Sequence, residues 1–414
     1  MQGMGRGTTK WWREFFLKLR RLRHSQSEWH LPLLRLGGRG LSHALQSLSL
    51  TEFRSYERLD FALHSRSVYL YGANGAGKTN LLEAISVLNP GKGLRGAGFS
   101  DLGRRLPHED RGRAWGVAAT FGNGEDEVRL ATGSDPRDPT KRTVRVDGEP
   151  ATAARLIDHV RLIWLTPAQD RLFIEARSER LRFFDRLTYA AQPSHAAVVS
   201  AYEKALRERL KLLTDGPADD AWLSLLEQKL GETGAAMILA RRHAIAALQA
   251  EIERHTGPFP KADLGLAGDV AGDIADGDLN TYIINGFRQS RARDTAASRS
   301  LFGPHRMDFT VLHRDKNRAA AEGSTGEQKA LLLNVILAQG ARLAKALSTS
   351  PPILLLDEVA AHLDPVRRHA LFDETHALGL QTLFTGTDQG LFDGLKSRAL
   401  GVRVEGAQFV EFVE

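Results

Sequence analysis

The amino-acid sequence predicts an α/β fold whose sheet comes from two separated stretches, with an α-helical lobe inserted between them and no long coiled coil. Three observations carry that expectation. Short apolar runs with strand character occupy residues 46–175 and 300–414. Two of these runs stop abruptly in polar loops: Ser67-Val68-Tyr69-Leu70-Tyr71 enters a glycine-rich loop, and Pro352-Ile353-Leu354-Leu355-Leu356 enters Asp357-Glu358. From about Glu175 onward the apolar spacing lengthens from about 2 to about 3.6 residues, the period of a helix.

The remainder of the chain is organised around the glycine loop. Gly72-Ala73-Asn74-Gly75-Ala76-Gly77-Lys78-Thr79-Asn80 fits the phosphate-loop pattern G-x-x-x-x-G-K-[ST], with a strand before it and a helix signal, Leu81-Leu82-Glu83-Ala84-Ile85, after it. Glycines let backbone N–H groups converge on phosphate oxygens, and a helix N-terminus adds partial positive charge. The pattern assigns Lys78 to the β- and γ-phosphates of a nucleoside triphosphate and Thr79 to Mg²⁺. At the far end, Asp357 closes a strand of the buried parallel type, where a Walker B aspartate holds the same Mg²⁺. Glu358, one residue further out, is the expected general base toward an attacking water. Lys78 and Glu358 are therefore the expected catalytic residues, with ATP and Mg²⁺ as cofactors.

A third element narrows the class. Ser324-Thr325-Gly326-Glu327-Gln328 precedes the helix-like Lys329-Ala330-Leu331-Leu332-Leu333, 33 residues before Asp357. It resembles the signature motif of ABC-type ATPases, in which Ser324, Gly326 and Gln328 would meet the nucleotide of another subunit. A capping box, Ser324 at the N-cap and Glu327 at N3, is the plain alternative. Ala361-His362-Leu363-Asp364-Pro365 matches the D-loop position of that class, which brings Asp364 to the nucleotide. Gln169, in Thr166-Pro167-Ala168-Gln169-Asp170, lies where a Q-loop places a glutamine near Mg²⁺ and water; a surface glutamine is the other reading. The fold class is thus an ABC-type P-loop ATPase head with an inserted helical lobe.

Composition bounds the rest. The 414 residues predict two or three domains, and 42% hydrophobic content without an apolar run near 18 residues predicts no membrane span. The absence of cysteine excludes disulfides and thiolate metal sites and suits a cytoplasmic protein. The net charge of +6 is local: residues 1–40 hold nine Lys/Arg and two Glu, so the other residues sum to −1. Nucleic-acid binding by the body must then use clustered patches.

Residues 1–45 are expected to be a basic N-terminal extension, disordered or the product of a start placed too early. Lys10 to Arg23 could instead form a basic amphipathic arm or, more weakly, a transit peptide. The domains expected after it are 46–175, the first part of the head; 176–300, the helical lobe; and 301–414, the second part. Leu48 to Phe61 reads as two strands around a turn. Ala114–Phe121 and Glu127–Ala131 around Asn123-Gly124 read as a hairpin, and Thr143–Val146 as a further strand. Ser178–Ala191, His195–Leu213, Ala221–Arg254 and Leu279–Arg291 read as helices. Trp222, Leu225, Leu226, Leu230, Met237, Ile238, Ile245, Leu248 and Ile252 make a core stripe on the third. Gly265 to Asp278 reads as an acidic, flexible loop.

Spacing separates the possible ATPases. Transport ATPases leave on the order of a hundred residues between phosphate loop and signature, and SMC proteins leave hundreds of residues of coiled coil; here the gap from Lys78 to Ser324 is 246 residues. A short helical insertion resembles the RecF family. The residues that carry the resemblance are Leu48 to Tyr56, Gly72 to Asn80, Gly303-Pro304-His305-Arg306, Ser324 to Lys329, Leu356 to Pro365 and Thr385-Gly386-Thr387-Asp388. The resemblance implies a cytoplasmic, weak DNA-dependent ATPase of replication and recombinational repair. It implies binding to single-stranded or gapped DNA, an ATP-dependent homodimer released by hydrolysis, and work with RecO- and RecR-like partners in recombinase loading and SOS induction. The alternative function is the ATPase subunit of an ABC transporter. Arg104-Arg105, Arg111, Arg113, Lys141-Arg142, Arg291, Arg293 and Arg299 are the expected DNA contacts.

Overall fold

The computed structural model describes residues 44–122, 127–135, 137–215, 219–270, 272, 274–346 and 351–413. The expectations for residues 1–43 and for the Asn123-Gly124 turn lie outside the described residues. Two compact units make up the described chain: one runs to Val160 and regains Thr387–Gln389 and Lys396–Glu414, and the other holds Arg161–Gly386 and Gly390–Leu395.

The first unit opens with β1 (Ala44–Phe53) and β2 (Tyr56–Ala62). The chain then forms β3 (Ser67–Tyr71), α1 (Lys78–Ser86), β4 (Gly116–Gly122), β5 (Glu127–Asp135), β6 (Asp138–Val146) and β7 (Glu149–Ala151). β1 begins at Ala44, inside the stretch expected to be an extension. An antiparallel sheet runs in the order β2-β1-β4-β5-β6-β7, with Leu50 opposite Leu59 on one side and Val117 on the other. Four of the five residues of β3 are buried, which is why that run reads as apolar throughout. Two later strands, β14 (Ala399–Glu405) and β15 (Gln408–Val413), complete this unit. β14 lies parallel to β3, with Val402 opposite Leu70, and turns back antiparallel into β15.

In the second unit, β8 (Leu162–Leu165) is followed by α2 (Arg177–Ala191), α3 (Ser194–Thr214), α4 (Asp220–Arg254), β9 (Ala262–Ala267) and α5 (Leu279–Ala297). Next come β10 (Asp308–His313), β11 (Arg318–Ala319), α6 (Thr325–Lys345), β12 (Ile353–Leu356), α7 (Pro365–Ala377) and β13 (Thr382–Gly386). β12 lies between β8 and β13, parallel to both, with Leu355 opposite Trp164 and Leu383. Both faces of β12 are buried, so its sequence is a continuous apolar run. The helical periods place α2, α3 and α4 to within a residue, and α5 runs six residues beyond Arg291.

Two expectations need correction. Gly265 to Ala267 are not loop: they end β9, which pairs antiparallel with β10, Gly265 facing Thr310. The stripe on α4 is not core at its start: Trp222 and Leu225 are 54% and 63% exposed, whereas Leu226 already packs against the core cluster. Leu230, Met237 and Ile238 pack with Tyr202, Ile283 and Phe287 in one cluster.

Several basic residues expected on DNA are committed elsewhere. Arg142 is turned inward: it donates to the carbonyls of Val87, Asn89 and Gly91 and to the Thr132 hydroxyl. Burial lowers its pKa to about 10. Arg104 pairs with Glu57 and Glu52, Arg113 with Glu52 and Glu109, and Arg291 with Glu227 and Asp220. Arg111, Arg293 and Arg299 are exposed.

Candidate nucleotide site

The phosphate loop is built where β3 ends and α1 begins. Gly72, Gly75 and Gly77 take φ values of 146°, 80° and 113°. At Gly72 a Cβ would lie 2.3 Å from the Val404 carbonyl oxygen, so both the left-handed backbone and the close approach of β14 demand glycine. The loop turns tightly, Ala76 N–H donating to Ala73 C=O at 3.2 Å, and Leu81 N–H closes the first helical bond on Gly77 C=O at 3.1 Å. The Lys78 ammonium lies over the loop, donating to the carbonyls of Gly72 (2.7 Å) and Ala73 (2.8 Å). It is 4% exposed. α1 therefore starts at Lys78, ahead of the Leu81 start the apolar pattern suggests.

The β1–β2 turn supports the loop from one side. The Tyr56 hydroxyl donates to Gly77 C=O at 3.1 Å, and burial pushes its pKa well up, which keeps it a donor. Asn80 donates to Ser55 Oγ at 2.9 Å. Arg54 grips the buried Glu83 of α1 through two bonds of 2.9 and 2.8 Å, and Arg95 adds a third at 2.9 Å. Such charge-assisted pairs fix the helix that carries Lys78 and Thr79. On another side, the Ala407 amide donates to Ala76 C=O at 2.8 Å. A cavity of about 550 Å³ lies between Tyr71–Ala76 and a wall made of Thr387 and Arg403–Gly406. Sequence reading missed that wall; the alternation of Val402 and Val404 before Gly406 was the available signal.

The acidic pair belongs to the second unit. Asp357 follows β12, is 4% exposed, and donates its backbone N–H to Leu165 C=O at 2.9 Å. The buried Thr385 hydroxyl at the end of β13 serves both acids: it donates to Asp357 Oδ1 at 2.7 Å and accepts the Glu358 N–H at 2.9 Å. Glu358 sits at φ 55°, a left-handed conformation that costs a glutamate energy and is held by that bond. Thr385→Val keeps the shape and deletes both bonds. We expect it to lower unfolding free energy by about 1–3 kcal/mol in urea denaturation, with Thr385→Ser restoring most of the loss.

The other expected site residues lie in this second unit. Ser324 caps α6 and forms the reciprocal capping box with Glu327, whose carboxylate accepts the Ser324 N–H at 2.8 Å. Lys316 beside it, then the Ser324 amide, hold the Glu327 carboxyl down to about 2. Ser324 and Gly326 are exposed. Gln328 is 5% exposed and turned inward, donating to Gly323 C=O at 2.9 Å. The Gln169 carbonyl oxygen accepts the Thr166 N–H at 3.0 Å, closing its own capping box. Asp364 caps α7 through the Arg367 amide at 2.9 Å. Among the described residues no cluster of three or more His, Asp or Glu gathers as a metal cage.

A phosphate loop at a helix N-terminus, an apolar strand ending in Asp-Glu and a serine-capped signature helix define an ATPase head of the kind shared by RecF, RecN and SMC proteins. The family described as RecF/RecN/SMC N terminal domain matches residues 44–408. Within it, the chain belongs to the RecF family. It is 57% identical over 374 residues to the DNA replication and repair protein RecF of Caulobacter vibrioides, covering 88% of this chain and 97% of the relative. It is 46% identical over 364 residues to that of Rhizobium etli, covering 86% and 96%. A solved structure of the recombination mediator protein RecF with ATP shares the fold at a TM-score of 0.77 and 21% identity, over 91% of this chain and all of that one. The Smc head domain of Pyrococcus furiosus, with an extended coiled coil, matches at 0.51 and 18%, over 90% and 96%. Among the described residues no helix is long and apolar enough to cross a membrane.

Proposed function

We propose that this chain is an ATP-driven, DNA-binding switch of replication and recombinational repair. The observation that carries the reading is the phosphate loop, with Lys78 poised at the N-terminus of α1, in a chain whose relatives are DNA replication and repair proteins. The amides of residues 73–79 and the Lys78 ammonium receive the phosphates of ATP. Thr79 and Asp357 offer the oxygen ligands that Mg²⁺ takes beside phosphate oxygens and water. When bound, Mg²⁺ neutralises charge that builds on the phosphates. Glu358 accepts a proton from the attacking water. Gln169 is a further polar group proposed for Mg²⁺ and water, although its carbonyl oxygen is engaged by the Thr166 amide.

Ser324, Gly326 and Asp364 complete the nucleotide site of a second copy, with the inward-turned Gln328 bracing the Gly323 carbonyl behind them rather than meeting the nucleotide, so ATP joins two subunits and hydrolysis releases them. DNA couples to the switch by preferring the joined state. The resemblance to the RecF family supports extending the reading to single-stranded or gapped DNA, RecO- and RecR-like partners, recombinase loading and SOS induction. The transporter alternative has no observation in its favour, since the relatives named above are repair proteins. Light scattering with and without ATP·Mg²⁺ and gapped DNA tests the reading. Wild type should double in mass with ATP, more readily with DNA, and Lys78→Met should stay monomeric. A monomer under every condition would overturn the switch and leave Ser324 a capping residue alone.

A further inference from the structure

The Gly303-Pro304-His305-Arg306 motif does not line the phosphate-loop cavity, yet the fold holds it by several bonds. At Gly303 φ is 122° and a Cβ would lie 2.6 Å from the Tyr202 hydroxyl. That hydroxyl bonds His305 Nδ1 at 2.8 Å, and His305 Nε2 meets Ser300 C=O at 3.3 Å. Arg241 donates to Pro304 C=O at 2.8 Å. The loop before the motif hangs from Asp294: its Oδ1 accepts the Leu301 amide at 2.8 Å, and its carbonyl accepts the Arg299 amide at 3.2 Å. Just after the motif, Asp308 takes a two-bond grip from Arg180 of α2, at 2.8 and 2.6 Å. That grip sets the backbone at Arg306 near the start of α2, where Arg177 stands, and the His305–Ser300 contact sets it near Arg299.

Three arginines thus converge: Arg177, Arg299 and Arg306. None of the three forms an ion pair among the described residues, although Arg54, Arg180, Arg209, Arg241 and Arg314 all do. Arg177 and Arg299 are exposed, and Arg306 is half-buried. Burial foremost, then the charges of Arg177 and Arg299, hold the Arg306 guanidinium below its ordinary value; Asp269 and Asp294 act in the opposite sense. His305 adds no charge at neutral pH, because burial foremost holds it down to about 4. Guanidinium groups gathered on one patch without carboxylate partners favour an anion there, and guanidinium pairs well with phosphate oxygens.

We propose that Arg177, Arg299 and Arg306 form a docking site for the phosphodiester backbone of DNA. This rests on the DNA-binding reading above and gives it a location. Phosphate contacts position a protein on DNA and carry no base sequence, in keeping with a site made of arginines alone. The test is fluorescence anisotropy of the full chain on labelled gapped duplex DNA, with ATP·Mg²⁺, over a range of salt. The double variant Arg177→Gln/Arg299→Gln should bind more weakly, with the slope of log K against log salt reduced by about 2. Arg177→Lys/Arg299→Lys should keep most of the slope, and Lys204→Gln, an exposed helix position, should leave it unchanged. Unaltered circular dichroism and ATP-dependent mass show that the nucleotide switch survives. If the double variant keeps the wild-type affinity and slope, the site is not on DNA, and an acidic protein surface becomes its partner. If wild type does not bind DNA, both this site and the broader reading fall.

Discussion

Glu358→Gln is expected to lower ATP turnover by about 10²–10⁴-fold, the usual contribution of a positioned general base, and to lengthen the life of the ATP-joined dimer by a similar factor. Glutamine preserves size and hydrogen bonding but cannot take a proton from water. The local geometry should survive, because the left-handed backbone is held by the main-chain bond from Glu358 to Thr385, which the substitution does not touch. ATP affinity should therefore stay within a fewfold of wild type. Single-turnover hydrolysis and dissociation of mixed dimers read the two quantities separately. Turnover near the wild-type rate would remove Glu358 as the base. Slow turnover with a wild-type dimer lifetime would detach release from hydrolysis.

Arg209→Met should destabilise the second unit by about 3–5 kcal/mol, the cost of breaking a buried ionic group from one side. Arg209 is fully buried on α3. It donates to Asp294 at 2.6 Å, to Glu227 at 3.2 Å and to the Phe287 carbonyl at 2.7 Å, with its guanidinium 4.9 Å from the Phe287 ring centroid. Its removal strands Asp294 in an apolar interior with only the Ser290 hydroxyl at 2.8 Å and the Leu301 amide. Glu227 keeps its two bonds from Arg291, so Asp294 carries most of the loss. Urea denaturation followed by tryptophan fluorescence measures it, and the pair Arg209→Met/Asp294→Leu should recover part of it. A loss below about 1 kcal/mol, the range of exposed pairs, would mean that water reaches these charges.

The parts of the fold that the sequence discloses are those with local causes. The phosphate loop is a motif whose glycines answer to the backbone itself, and β3 and β12 are apolar throughout because both faces are covered. α2 to α4 follow from the helical period alone. What remained hidden depends on neighbours far along the chain. β9 carries Asp263 and Gly265, residues typical of loops, and becomes a strand only because β10 lies alongside. Arg142 looks like any surface cation until the carbonyls at Val87, Asn89 and Gly91 close around it. Trp222 and Leu225 keep the helical spacing yet face solvent, while Leu223 between them is buried. Thr385 shows the same limit at the site: its sequence marks the end of a strand, and only the register of β12 against β13 brings its hydroxyl to Asp357 and Glu358.

The strand beside the phosphate loop, β14, is synthesised more than 300 residues after β3. Closing so long a stretch is entropically unfavourable and slow, since distant pairings must wait for the chain between them to be arranged. During translation β3 therefore emerges without its lateral partner, and Gly72 has no Val404 carbonyl to rest against. A nascent chain halted before Ala399 holds every residue of the phosphate-loop motif and lacks one wall of its cavity. Competence to take up a nucleotide then marks a chain in which β14 has docked beside β3.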